Sequence, residues 1–332
     1  MMDMAAVPTA AAHPGFSRVF RPGHLSFGFI APLEGYPNSS APSMHDHAEM
    51  ARRADQAGFS ALWLRDVPFY DPAFGDVGQI FDPMVYAGWL AAATKDIVIG
   101  TAGIVLPLRD PLAVAKQAAS LDHLTGRRFL LGLSTGDRPV EYPAFGASFE
   151  NRAERFRDAH DLIHAVTSAS FPQHGSRFYG QLDGRLDLVP KPVGGHLPTL
   201  AIGRAGQTVE WIAEHMDGWI WHQSDFRRLP DILSRWRAAI PGGAFKPYGY
   251  AMFFDLDRDP NAPLRVGQGV SVGRKVLVDL WRRQQDEGVS HVALNLKTLR
   301  RPAAEVLDEL AEHVLPHFQT SQPVPATPTT SA

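Results

Sequence analysis

The sequence predicts an α/β chain folded as one (β/α)8 TIM barrel. Three observations carry that expectation. The stretches Ile97-Val-Ile-Gly-Thr-Ala-Gly-Ile-Val-Leu-Pro107 and Arg127-Arg-Phe-Leu-Leu-Gly-Leu-Ser-Thr-Gly-Asp137 are apolar β-type runs that end in small residues. A helical segment over 112–124 lies between them, so the pieces make a parallel βαβ unit. The same alternation recurs eight times, over a length that suits one barrel. Two Rossmann domains would show fewer strands each and a topological switch point.

The elements follow in order. A strand is expected over 25–31, then a helix over 45–57 with Ser43 as cap and Gly58 as stop. A short buried strand covers 61–65, and a loop rich in Asp, Pro and Gly runs over 66–83. A helix over 84–94, a strand over 97–103, the helix over 112–124 and a strand over 128–134 come next. Phe156, Ala159, Leu162, Ile163 and Val166 mark a helix over 150–168 by their 3–4 spacing. Residues 170–198 break the rhythm with Gly and Pro and read as an insertion between the fourth helix and the fifth strand. The alternation resumes with strands over 199–203, 218–221, 248–256 and 291–296, and helices over 207–215, 227–239, 274–287 and 303–315.

Composition narrows the class. With 45% hydrophobic and 20% charged residues the chain can bury a sizeable core. A net charge of −3 gives no electrostatic case for nucleic acid or an anionic membrane. The absence of cysteine excludes disulfides, thiolate metal sites and a Cys nucleophile. No run reaches the roughly 18 apolar residues of a membrane span, and the Ala-rich start lacks a basic region. The expectation is a cytoplasmic protein with a flexible segment over 1–21, a barrel over 22–318 and a disordered tail over 319–332.

A barrel places its chemistry at the strand C-termini. Gly203-Arg-Ala-Gly-Gln-Thr208 ends a strand and opens a helix, where backbone N–H groups favour a phosphate and Arg204, Gln207 and Thr208 can add contacts. A plain helix cap with a solvated Arg204 is the other reading. Asp66 ends the second strand beside Arg65 and is open to two readings: a base or acceptor, or a structural Asp–Arg pair. His222 ends the sixth strand and can titrate near neutral pH, or be merely polar. Ser134 and Thr135 end the fourth strand, where small residues also ease a tight turn. Arg138 follows, able to meet phosphate, substrate or a surface carboxylate. His160-Asp-Leu-Ile-His164 has two His four apart, but Asp stands where a zinc-protease word has Glu and no third ligand is evident, so no metal is expected. Gly267-Gln-Gly-Val-Ser-Val-Gly273 misses the dinucleotide fingerprint by one place.

Several phrases, in order and spacing, resemble the bacterial luciferase-like superfamily of flavin- or deazaflavin-dependent oxidoreductases. They are Gly100-Thr-Ala-Gly-Ile-Val-Leu-Pro-Leu-Arg-Asp-Pro111 with the following Ala115-Lys-Gln-Ala-Ala-Ser-Leu-Asp-His-Leu-Thr-Gly-Arg-Arg-Phe129, Gly136-Asp-Arg-Pro-Val-Glu-Tyr-Pro-Ala-Phe-Gly146 and Glu210-Trp-Ile-Ala-Glu-His-Met-Asp-Gly-Trp219. Arg65-Asp-Val-Pro-Phe-Tyr-Asp-Pro-Ala-Phe-Gly-Asp-Val-Gly-Gln79 is similar to a luciferase-type oxidoreductase branch of mostly unassigned substrates. The resemblance implies a monooxygenase that uses reduced FMN (FMNH2), usually from a separate flavin reductase, with O2 to oxidise a small organic substrate. A homodimer is expected. It implies flavin contacts at Ser134 and Thr135, phosphate contacts at Gly203, Arg204, Gly206, Gln207 and Thr208, and a ring resting on a non-proline cis bond at Ala102–Gly103. Many relatives carry a His near Asp66, and Ser where Arg204 and Gly206 stand. Two alternatives remain: hydride transfer with the deazaflavin F420, whose acidic tail calls for extra basic residues, and a non-catalytic flavin-binding protein.

Overall fold

The computed structural model describes residues 9–318, so the expected disordered tail and residues 1–8 lie outside the described residues. Eight strands form the barrel: β1 (Ser26–Ile30), β2 (Ala61–Leu64), β3 (Val98–Thr101), β4 (Phe129–Ser134), β5 (Thr199–Ile202), β6 (Gly218–His222), β7 (Tyr248–Leu256) and β8 (His291–Asn295). Each pairs in parallel with the next, and β8 pairs with β1 from Ser26↔His291 to Ile30↔Asn295, which closes the ring. The expected (β/α)8 barrel is therefore the fold observed. The helices between strands are α2 (His47–Gln56), α3 (Pro83–Ala93), α4 (Pro111–Leu124), α6 (Arg152–Ser168), α7 (Val209–His215), α8 (Leu229–Ala239) and α9 (Arg274–Glu287), with α10 (Ala303–His313) after β8. The numbering leaves α1 (Pro14–Val19) before the barrel and a single-turn α5 (Glu141–Ala144) on the loop after β4.

Local chemistry sets the boundaries. Asp82 caps α3 by accepting from the amides of Met84 and Val85, and Asp110 caps α4 by accepting from Ala113. Each is followed by Pro at the first helical position, where its missing N–H costs nothing. Both helices thus start a residue before the expected positions. Ser43 does not cap α2; its amide and hydroxyl bind Glu34, and the helix opens after Asp46. Gly288 ends α9 at φ 103°, a left-handed stop. The insertion contains a hairpin, Gln173–Ser176 with Gly180–Asp183. β7 overruns the barrel rim and pairs with Val270–Val272, a strand the sequence did not suggest.

The expected flexible segment over 1–21 is corrected for residues 9–21. Phe16, Val19 and Phe20 are buried, and they pack with the inward-facing Ala61, Trp63, Val98, Leu130, Leu200, Ile220 and Ala293. Helix α1 thus plugs the N-terminal end of the barrel. Six residues are too few for periodicity to announce, which is why the sequence hid them.

The barrel interior holds one determinate polar chain. Trp63 Nε1–H donates to His291 Nε2 at 2.8 Å. The Ser26 hydroxyl donates to the Val19 carbonyl at 2.6 Å, so His291 Nδ1–H donates to Ser26 Oγ at 2.7 Å. The Trp63 ring has room because Gly100 faces it, where a Cβ would lie 2.3 Å from the indole. Burial pushes the His291 pKa down to about 3 from 6.5. The unfolded chain therefore binds this proton before the native one does. The stability it contributes is full above pH 6.5 and is lost as pH falls from 6.5 toward 3, at about 1.4 kcal/mol per pH unit. Urea unfolding across the upper part of that window should show this slope, and His291→Gln should flatten it by about one proton. An unchanged slope in the variant would assign the titration to other groups.

Candidate active site

A cavity of ≈970 Å³ opens at the C-terminal ends of the strands. Its floor is Ile30, Trp63, Ile220 and Ala293, the upper layer of the barrel interior. Its walls carry Ala102 and Gly103 from the end of β3, Ser134 to Arg138 from β4, Gly203 to Gly206 after β5, and Trp221 and His222 from β6. All sequence-chosen site residues except Gln207 and Thr208 line this one space, although they lie up to 156 positions apart, from Asp66 to His222.

Their local roles differ from the expectations at several points. Asp66 does not pair with its neighbour Arg65. Successive side chains on an extended strand point to opposite sides. Asp66 therefore meets Arg109, whose Nε and Nη2 reach its two oxygens at 2.8 and 2.5 Å. Asp66 also accepts from the Val105 amide at 2.9 Å, while Arg65 turns to Asp76 at 2.6 Å. With 3% of its side chain exposed and a bidentate cation in place, Asp66 ties the end of β2 to the segment between β3 and α4, a structural role in place of the expected catalytic one. Arg138 is likewise committed. It donates to the Asp76 carbonyl at 2.9 Å and lies 3.9 Å over the Phe74 ring, so it pins the loop rather than waiting for phosphate.

The Ala102–Gly103 bond is trans; the cis bonds among the described residues are Ala31–Pro32 and Val189–Pro190. Gly103 is glycine for space: an added Cβ would sit 2.9 Å from Ile202 Cβ and 3.0 Å from the Leu133 carbonyl carbon. Ser134 Oγ donates to the Gly103 carbonyl at 3.2 Å and so knits the ends of β3 and β4. Thr135 is buried, and its carbonyl accepts the Tyr142 hydroxyl.

The loop after β5 divides into structural and free parts. Gln207 is buried; its amide donates to the Ala153 and Ala205 carbonyls, and its oxygen accepts from Arg157. It is a bracket for α6 and does not contact the cavity. Thr208 Oγ accepts from the Trp211 amide at 3.2 Å and caps α7, so the capping role is the one it fills. What faces the cavity is the turn itself. Gly203, Ala205 and Gly206 have φ of 64°, 48° and 67°, and a Cβ on Gly203 would stand in open space. The Gly203 amide donates to the Ile220 carbonyl at 2.8 Å and the Gln207 amide to the Arg204 carbonyl at 2.7 Å, so the amides of Arg204, Ala205 and Gly206 are the ones left without a partner among the described residues, and a turn of this kind suits an anion. Arg204 is exposed at that turn, 5.9 Å over the Trp221 ring, and makes no ion pair among the described residues.

His222 opens into the cavity with its ring edge-on to Phe253 at 5.8 Å. Its pKa is lowered by the protein packed around it, which leaves a neutral imidazole at neutral pH. Among the lining residues that sequence reasoning missed are Phe74, Phe149, Arg152, Phe253, Lys297 and, on α5, Glu141, which is 5% exposed. It sits inside the resemblance phrase that begins at Gly136, but nothing in its spacing distinguishes it from a surface acid. The motif His160-Asp-Leu-Ile-His164 lies on the outer helix α6, with His160 against Trp211, away from the cavity.

The comparisons with known proteins fit this geometry. Residues 25–248 match the model of the luciferase-like monooxygenase family. This chain belongs to that family. One relative is the 4-hydroxyprotoasukamycin monooxygenase of Streptomyces nodosus subsp. asukaensis, 31% identical over 183 residues, which are 54% of this chain and 47% of that one. The chain thus spans about half the length of this curated relative. Among solved structures, an F420-dependent secondary alcohol dehydrogenase with an F420–acetone adduct has 17% identity and a TM-score of 0.71, covering 89% of this chain and 99% of that one. The oxygenating constituent of the 3,6-diketocamphane monooxygenase of Pseudomonas putida, in complex with FMN, has 14% identity and a TM-score of 0.71, covering 90% and 100%. At such identity the two structures show the shared barrel alone. The protein is thus an enzyme of the luciferase-like oxidoreductase and monooxygenase family.

Proposed function

We propose that this member is a two-component monooxygenase, which uses reduced FMN and O2 to oxidise a small organic substrate. The observation that supports FMN over F420 is the charge arrangement of the cavity. Five cations line it: Arg65, Arg138, Arg152, Arg204 and Lys297. Asp76 answers Arg65 and Lys297, at 2.6 and 3.4 Å, and Glu141 answers Arg138 at 3.6 Å. Arg152 and Arg204 remain without an ion pair among the described residues. Arg152 donates to the Phe149 carbonyl at 2.7 Å and lies 3.6 Å over that ring, so Arg204 is the free cation beside the turn, and one free cation there suits one phosphate monoester. A long acidic tail would call for more.

The residues fit the group on their own geometry. Gly203 to Gly206 and Arg204 would hold the phosphate. Ala102, Gly103 and Ser134 would border the flat ring system at the ends of β3 and β4. When bound, reduced FMN would supply the electrons that activate O2. The apolar floor of Ile30, Trp63, Ile220 and Ala293 excludes water from beneath that centre. Neutral His222 is placed to accept a proton at its free ring nitrogen.

Anaerobic titration of the full chain with FMNH2 and with reduced F420 tests this reading. FMNH2 is expected to bind at least about tenfold more tightly, a difference of about 1.4 kcal/mol. Admission of O2 should then oxidise the bound flavin. Preference for reduced F420, with no reaction on admitting O2, would replace the proposal by hydride transfer.

A further inference from the structure

We propose that Asn295 selects the substrate of this site: its side-chain N–H donates to the carbonyl oxygen of an aryl ketone or aryl aldehyde. The inference rests on the monooxygenase reading above and adds a substrate class to it. Asn295 ends β8 and lines the cavity, with 7% of its surface exposed. Its Oδ1 accepts from the Lys297 amide at 3.0 Å. A backbone N–H can donate only to the oxygen of that side chain, so the orientation of the Asn295 amide is fixed and Nδ2 is its other end. Nδ2 has no hydrogen-bond partner among the described residues. It is also not walled off, as the unpartnered Tyr248 hydroxyl is, and so it opens on the cavity. A buried donor that reaches a cavity without a partner is a place for a ligand's acceptor.

The surroundings choose the acceptor. In the sheet register Asn295 stands between Ile30 on β1 and Phe253 on β7, and Ala251, Met252 and Ala293 line the same side of the cavity. Lys297 Nζ turns to the Gly75 carbonyl at 3.1 Å and lies 3.4 Å from Asp76. An anion on Nδ2 would be buried against apolar groups without a counter-charge of its own. A hydroxyl would bring a hydrogen that those groups cannot accept. A carbonyl oxygen accepts and brings none. Phe253, Trp63 and Trp221 line the same space, and an aromatic ring buries well against such side chains. Position separates this contact from the cofactor. Around the ring, β8 is four strands from β4 in either direction, so Asn295 faces Ser134 across the barrel mouth. A substrate held by Asn295 thus lies opposite the wall assigned to the flat ring system. The hydrogen bond also draws electron density from the carbonyl carbon and makes it more electrophilic.

The test uses the full chain, loaded with FMN, and two probes of the same shape: acetophenone and α-methylstyrene, in which a CH2 group replaces the carbonyl oxygen. Calorimetry gives the ratio of their affinities, which is compared between chains. Asn295→Asp keeps the acceptor for the Lys297 amide and puts a carboxylate oxygen where the donor was. Asn295→Leu removes both groups. In each variant the ketone should weaken about tenfold relative to the hydrocarbon, as the loss of one hydrogen bond and an unpaired ligand carbonyl require. The infrared carbonyl stretch of the bound ketone should lie lower in wild type than in either variant. An unchanged ratio or an unmoved stretch in the Asp variant would overturn the proposal. So would an equal loss of both probes, which reports packing, and so would failure of wild type to bind the ketone. FMN titration of the same chains keeps the two readings apart. Native FMN affinity with no ketone effect of Asn295 sinks the substrate assignment alone. A wild type that takes no FMN sinks the monooxygenase reading, and the probe ratio is then read on the chain by itself.

Discussion

Gly103→Val is expected to destabilise the barrel by roughly 1–3 kcal/mol, seen as a lowered midpoint in urea unfolding with the slope unchanged. Strand propensity favours Val over Gly, so propensity alone would forecast a gain. Packing reverses the sign. The new Cβ would lie 2.9 Å from both Cβ and Cγ1 of Ile202, and 3.0 Å from the carbonyl carbon of Leu133. Ile202 can give way only by moving within β5, and Leu133 only by moving the backbone of β4. Both strands carry the rim of the cavity, so the variant loses cofactor affinity through a displaced wall. Gly103→Ala brings the same Cβ without the branch and should cost less. A Val variant as stable as wild type would show that β3 and β5 are further apart at this level than described.

The barrel was legible because buried parallel strands are near-continuous apolar runs, and their recurrence needs no tertiary information. All eight strands stand within about two residues of their expected bounds, a margin usual for element ends. The locations of the site residues were legible for a related reason. Strand C-termini converge in a barrel, so Ala102, Ser134, Gly203 and His222 had to meet. Their roles were less so. Asp66 was read with Arg65 because the two are adjacent, while its true partner Arg109 lies 43 positions on, beyond a crossover. Gln207 looked like a phosphate ligand until Arg157, Ala153 and Ala205 were seen to use it up. Glu141 gave no signal at all, since the burial of an acid is a property of surroundings rather than of sequence.

The turn after β5 offers the sharpest measurement of where the cofactor sits. Arg204→Ala should weaken FMNH2 binding about tenfold or more, the loss of one charge-assisted contact to phosphate. It should leave thermal stability nearly unchanged, because Arg204 is exposed and holds no carboxylate among the described residues. Its effect should also shrink at high salt, as screening of a partly exposed charge requires. Arg204→Lys keeps the charge but not the planar fork, and should fall between. Thr208→Val is the necessary contrast. It removes the cap that accepts from Trp211, so it should cost about 1 kcal/mol of stability while the FMNH2 titration moves little. This pattern separates a phosphate contact from a helix cap within six residues of chain. If Arg204→Ala titrates as wild type does, the free guanidinium above Trp221 is a surface cation, and the phosphate belongs elsewhere on the rim.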